Sequence, residues 1–228
     1  MKLVFFDIDN TLLKSCKTHS LAFIKAIEQV YKVKLDWEEF KKYNLPGMTD
    51  QEIILSVLEK AGVPEKVIQE NLKVCMNKMT YFFSVLLLNE KLTLLPGVKR
   101  ALEKFRKSGV FMGIVTGNLE SIAWEKLKKT KIAEYFAIGA FGSDHKDRTT
   151  LVNLALKRAQ NYFNHTFSLH STYLIGDTPR DIIAGKTIGV KTIAVATGNC
   201  SRETLLQFRP NLVLNNLAES QIFDLVLN

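Results

Sequence analysis

Cysteine and proline are both scarce in this chain, with three of the first and five of the second among 228 residues. Cys16, Cys75 and Cys200 are widely spaced and include no CxxC pair. That excludes a disulfide framework and a cysteine-built structural zinc site. His19, His145, His165 and His170 have no metal-like spacing, so each is expected to be structural or exposed. No apolar run approaches the ~18 residues a membrane span needs. Asp7 and Asp9 interrupt the opening Met1-Lys2-Leu3-Val4-Phe5-Phe6 too early for the apolar part of a signal peptide, which favours a cytoplasmic protein.

Charge of one sign is also lacking at first. Residues 1–90 balance 12 Lys and Arg against 12 Asp and Glu, so the whole net charge of +8 lies in residues 91–228. The densest stretch, Lys126-Leu127-Lys128-Lys129-Thr130-Lys131, has no interleaved aromatics. It reads as a solvated helix face rather than a nucleic-acid patch, and neither nucleic acid nor membrane is an expected partner. What remains is the composition of an ordinary globular protein, 46% hydrophobic and 24% charged.

Periodicity then gives the organisation. Leu3–Phe6 is a short apolar run ending in an acidic turn, which suits a buried parallel strand. From residue 18 to about 88 the pattern is helical. Residues 19–31 repeat apolar positions every three or four, Thr49-Asp50-Gln51-Glu52 has the form of a capping box, Gly62 closes that helix, and Pro64 starts another that runs to Leu88. After Pro96-Gly97 helices and strands alternate. Helices are expected at Val98–Lys107, near Glu120–Lys129, and at 149–162, Pro179–Ile188 and 218–225. Strands are expected at 111–115, Ile138–Phe141, 172–175, 192–195 and Leu212–Leu214. Such alternation implies an α/β, Rossmann-like parallel sheet covered on both faces. The expected organisation is a core of residues 1–13 and 93–228 interrupted by an all-helical insertion at 14–92, well placed to act as a lid.

The chemistry-bearing residues fall at the strand ends. Asp7 and Asp9 are two apart on extended chain, so both carboxylates can face one pocket beyond the sheet's carboxyl edge. Asn10 tolerates the left-handed turn that leads into the insertion. Thr116-Gly117-Asn118 places a hydroxyl, a flexible glycine and an amide at another strand tip, where a plain strand-to-helix turn explains them equally well. Asp177-Thr178-Pro179-Arg180-Asp181 is a good helix start, with Asp181 as a first-turn acid, but capping does not account for Asp177. Lys146 and Arg148 offer cations before a helix. Leu45-Pro46-Gly47-Met48-Thr49-Asp50 reads as a Pro-Gly turn and helix cap.

Taken together, these segments resemble the haloacid dehalogenase superfamily on its phosphatase branch, close to phosphoglycolate phosphatases, over essentially the whole chain. Asp7–Thr11 is similar to the family's first motif, Thr116 to the second, a cation near 148 to the third, and Asp177–Asp181 to the fourth. The resemblance implies a helical cap and a Mg²⁺-dependent hydrolysis of a small-molecule phosphate ester. Asp7 is then the nucleophile and Asp9 the general acid and base. Mg²⁺ is held by Asp7, the Asp9 carbonyl, Asp177 and Asp181, and Thr116 with nearby Gly117 and Asn118 binds phosphoryl oxygens. The family usually has lysine followed by proline at the third motif, and this chain has no such pair there. Arg148 has the expected distance to Asp177 and is preferred to Lys146. Gly47 and Asp50 are the candidate substrate contacts of the cap. A sugar phosphomutase, a phosphonate-cleaving enzyme or a catalytically silent binding protein on the same scaffold are the competing readings. A helical cap can also serve as a homodimer surface.

Overall fold

The computed structural model describes residues 1–43 and 46–228. β1 (Leu3–Phe6) is followed by four helices: α1 (Lys17–Tyr31), α2 (Trp37–Lys41), α3 (Asp50–Lys60) and α4 (Glu65–Leu87). Alternating elements follow: α5 (Val98–Lys107), β2 (Phe111–Thr116), α6 (Glu120–Lys129), β3 (Ile138–Phe141) and α7 (Arg148–Phe163). The chain ends in β4 (Thr172–Gly176), α8 (Pro179–Ile188), β5 (Lys191–Val195), α9 (Arg202–Gln207), β6 (Leu212–Leu214) and α10 (Gln221–Leu227).

The six strands form one parallel sheet in the order β3-β2-β1-β4-β5-β6. β1 lies in the middle because Leu3-Val4-Phe5-Phe6 is apolar on both sides and fully buried. Val4 and Phe6 pack on one face with Leu102 and Phe105 of α5, Leu127 of α6 and Phe223 of α10. Leu3 and Phe5 pack on the other with Leu151 and Ala155 of α7. The strand order reverses between β1 and β4, and such a switch point opens a crevice at the carboxyl ends of the strands.

α1, α3 and α4 build a separate cluster around Phe23, Ile54, Met79 and Phe83, which also takes in Leu119 and Ile122 at the start of α6. The capping box on α3 is present, with the Glu52 N–H donating to Thr49 Oγ1 at 3.2 Å. None of the described helices is long and apolar enough to cross a membrane.

Three details depart from the sequence reading. α10 begins at Gln221 rather than 218, because Asn216 and Glu219 side chains accept from the N–H groups of Ala218 and Asn215 and hold a turn there. α2 and α9 are too short for periodicity to reveal, although each has a capping side chain, Asp36 and Ser201. The basic stretch on α6 is not one solvated face. Lys128 and Lys129 are exposed, but Lys129 Nζ donates to the Leu87 carbonyl at the end of α4, and Lys126 is 1% exposed.

Candidate active site

The sheet itself fixes the first aspartate, since the Asp7 N–H donates to the Ile175 carbonyl of β4 at 2.9 Å. Ile8 is fully buried and accepts from the N–H groups of Leu12 and Leu13, while Asn10 takes a positive φ of 54° that turns the chain back. Asp7 and Asp9 both border one cavity of about 440 Å³ at the switch point. Their carboxylates, however, keep different company.

Asp7 faces acids. Asp177, directly after β4, and Asp181, in the first turn of α8, each offer an oxygen within 4.8 Å of the other and of Asp7. Arg148, the first residue of α7, pairs with Asp181 and lies 3.7 Å from Asp7. One guanidinium thus serves three buried carboxylates. Burial pushes the Asp7 carboxyl up to about 7, against the pull of Arg148 and with the push of Asp181 and Asp9. Burial, Asp7 and Asp181 push Asp177 up to about 9. A compact, oxygen-only donor set short of positive charge fits a hard divalent cation such as Mg²⁺. Gly198 closes this side, and a Cβ there would collide with the Asp177 carboxylate. Arg148 Nε is buried without an acceptor, a donor for which the described residues supply no partner.

Asp9 faces donors instead. Lys126 Nζ reaches both of its oxygens, at 2.8 and 2.6 Å, and Asn118 Nδ2 donates to Oδ2 at 2.8 Å. Burial alone would raise the Asp9 pKa, but the Lys126 charge, His19 and the bonds from Lys126 and Asn118 outweigh it and hold the group low. Thr116, at the end of β2, accepts from Asn118 Nδ2 at 3.1 Å, which fixes the amide.

The α3 end meets this edge closely. The Asp50 N–H donates to the Gly117 carbonyl at 2.8 Å, and Asp50 Oδ2 accepts from the Leu119 N–H at 2.8 Å. A Cβ on Gly117 would lie 2.6 Å from the Met48 carbonyl oxygen, so the approach requires glycine. Glu52 of α3 pairs with Arg180 of α8 at 2.8 and 2.9 Å.

Among the residues singled out by sequence, Asp7, Asp9, Gly47, Asp50, Gly117, Asn118, Arg148 and Asp177 border the cavity. Thr116 and Asp181 are buried directly behind it. Lys146 is exposed and borders a neighbouring cavity, and among the described residues it is engaged through its carbonyl, by Thr49 Oγ1 at 3.0 Å. Leu45 lies outside the described residues. Two participants were not anticipated. His19, expected to be structural or exposed, is largely buried and sits 3.1 Å from Asp50 and 3.2 Å from Lys126. Lys126 was expected in solvent. The available signal was spacing, since Lys126 continues the apolar stripe Leu119, Ile122, Ala123 and Leu127.

The sequence profile described as haloacid dehalogenase-like hydrolase matches residues 4–195. A phosphoglycolate phosphatase of Vibrio parahaemolyticus is 24% identical, covering 96% of this chain and 94% of that protein. A glyceraldehyde 3-phosphate phosphatase of Pyrococcus abyssi is 27% identical, covering 85% and 80%. The crystal structure of CbbY from Rhodobacter sphaeroides in complex with phosphate shares the fold, with a TM-score of 0.75 at 18% identity and 96% coverage of both chains.

Proposed function

The chain belongs to the haloacid dehalogenase-like hydrolases, and we propose that it is a magnesium-dependent phosphatase that cleaves a small phosphate ester through a phosphorylated Asp7. The observation that carries the reading is the pairing at the switch point. A buried Asp7 stands among Asp177, Asp181 and Arg148, and Asp9 borders the same cavity with donors around it.

In this mechanism an Asp7 oxygen attacks phosphorus, the bond to the ester oxygen breaks, and Asp9 gives that oxygen its proton. Water then attacks the same phosphorus, Asp9 takes the water's proton, and the bond to Asp7 breaks to release inorganic phosphate. Mg²⁺ would be held by Asp7, Asp177, Asp181 and the Asp9 carbonyl, and would supply the positive charge that offsets repulsion between a carboxylate and a phosphate dianion. Arg148 orients the phosphoryl oxygens through donors that include its free Nε. Thr116 and the Gly117–Asn118 backbone do the same from the opposite strand end.

The helical insertion at 14–92 acts as the cap over a core of 1–13 and 93–228. Its residues Gly47 and Asp50 meet the core loops and narrow the cavity to about 440 Å³, room suited to a small ester. Phosphoglycolate is the candidate named by the Vibrio relative, and glyceraldehyde 3-phosphate by the Pyrococcus one. The test is phosphate release from a panel of such esters with Mg²⁺ and with EDTA. Release that needs the metal and vanishes in Asp7→Asn supports the mechanism; release that survives Asp7→Asn removes Asp7 as nucleophile.

A further inference from the structure

Lys126 does not border the cavity, yet its ammonium is the hub of the donors around Asp9. It is 1% exposed and touches four acceptor atoms: Asp9 Oδ1 at 2.8 Å, Asp9 Oδ2 at 2.6 Å, Asn118 Oδ1 at 2.6 Å and His19 Nδ1 at 3.2 Å. An ammonium has three protons, all occupied here, so none is left for a substrate oxygen. Because Lys126 can only donate, His19 accepts at Nδ1 and carries its own proton on Nε2, which donates to Asp50 Oδ2 at 3.1 Å. Asp50 in turn accepts from the Leu119 N–H. The chain of bonds therefore runs from Asp9 and Lys126 on the core, through His19 and Asp50 on the helical insertion, back to the core.

We propose that Lys126 is a positioning residue of the hydrolysis: it fixes the Asp9 carboxylate, and the insertion completes its bonding by presenting His19. The inference rests on the role given to Asp9 above. A buried lysine where α6 otherwise carries apolar residues is weak as a stability device, because desolvation offsets most of the attraction of a buried pair. It is strong as an orientation device. Without it the one hydrogen bond to the Asp9 carboxylate among the described residues is that of the Asn118 amide, and Asn118 itself loses the donor to its oxygen.

The experiment is a double-mutant cycle on p-nitrophenyl phosphate, with wild type, Lys126→Met, Asp9→Asn and the double variant measured by steady-state phosphate release with Mg²⁺. Lys126→Met alone is expected to lower kcat roughly 100-fold, the lower end of what a positioned acid–base contributes, with KM changed by less than about 3-fold. In the Asp9→Asn background the same substitution is expected to change kcat by less than about 3-fold, because the group it acts through is gone. Equal losses in both backgrounds, or full activity of Lys126→Met, overturn the proposal and leave Lys126 as packing. The double variant buries no unpaired charge. If Lys126→Met alone does not fold, Asp9→Asn against the double variant decides: equal kcat supports the role and a further large loss refutes it. A folded wild type that releases no phosphate from any ester overturns the functional reading, and this proposal falls with it.

Discussion

Replacing Gly117 by alanine puts one methyl group where two backbones meet. The added Cβ would lie 2.6 Å from the Met48 carbonyl oxygen and 2.9 Å from Thr49 Cα, and neither atom can rotate away. Gly117 does not occupy the left-handed region, so alanine fits its own strand end without strain. Relief comes instead from withdrawal of the α3 end. That lengthens the bond from the Asp50 N–H to the Gly117 carbonyl and the bond from the Leu119 N–H to Asp50 Oδ2, both 2.8 Å. A neutral backbone bond contributes about 0.5–1.5 kcal/mol net and a bond to a carboxylate about 1.5–3 kcal/mol. The closed arrangement should therefore weaken by about 2–4 kcal/mol, a shift of roughly 30- to 1,000-fold in its population. The expected result is a kcat/KM lower by that factor. Mg²⁺-dependent thermal stabilisation should remain, because Asp7, Asp177 and Asp181 all belong to the sheet side. Retention of full kcat/KM in Gly117→Ala would show that the contact between α3 and the β2 end is not part of the working form.

Three further outcomes follow from the site. In metal-free protein, Asp7 and Asp177 hold their protons more tightly folded than unfolded, so the stability they contribute is fully present below the ordinary carboxylate pKa and is lost as pH rises through about 7 and then about 9. Melting temperature in EDTA should fall between pH 6 and 9 and saturating Mg²⁺ should flatten the fall; a Tm that rises over that range contradicts the crowded-carboxylate account. Arg148→Met should lower kcat on the preferred ester by about 100-fold or more, as loss of a phosphoryl-oriented donor does, while Lys146→Met should change it little. The opposite ranking would return the phosphate-binding role to Lys146. Arg180→Met removes the half-exposed pair with Glu52, worth about 0.2–1 kcal/mol, and should raise KM no more than about 5-fold, with a smaller effect at high salt; a change in kcat larger than in KM would mean that the pair does more than hold α3.

The parts of this fold legible in sequence are those governed by local rules. Leu3–Phe6 reads as a buried strand because both faces of a central parallel strand must be apolar, and the helices from α3 to α8 announce themselves through caps, glycine stops and periodicity. Asp7, Asp177 and Asp181 were visible because each stands at a strand end or the first turn after it. Lys126 and His19 were not, since their meaning lies in contacts across 107 residues that no local pattern encodes. The charge count hid them as well. A run of lysines reads as solvent-facing unless Lys126 is seen to fall within the apolar stripe of Leu119, Ile122, Ala123 and Leu127. α2 and α9 escaped for a simpler reason: five or six residues do not complete two helical turns.

The separation of Asp7 from Asp9 bears on the order of events in the proposed hydrolysis. The same strand end delivers both residues, but Asp7 enters a group of carboxylates that raises its pKa and Asp9 a group of donors that lowers its own. Such divergence is how one site assigns different tasks to two identical groups. Without metal, burial favours the protonated form of Asp7, and the Lys126 and Asn118 bonds favour the charged form of Asp9. A bound cation would favour the charged form of Asp7. A phosphate dianion in the cavity would disfavour a second negative charge at Asp9, the direction that the proposed acid role needs. Asp9 is then acid while the ester is intact. Once the leaving group has taken its proton, Lys126 and Asn118 stabilise the carboxylate in the form that takes a proton from water. In the proposed mechanism such a site would need both metal and substrate in place before the covalent intermediate forms.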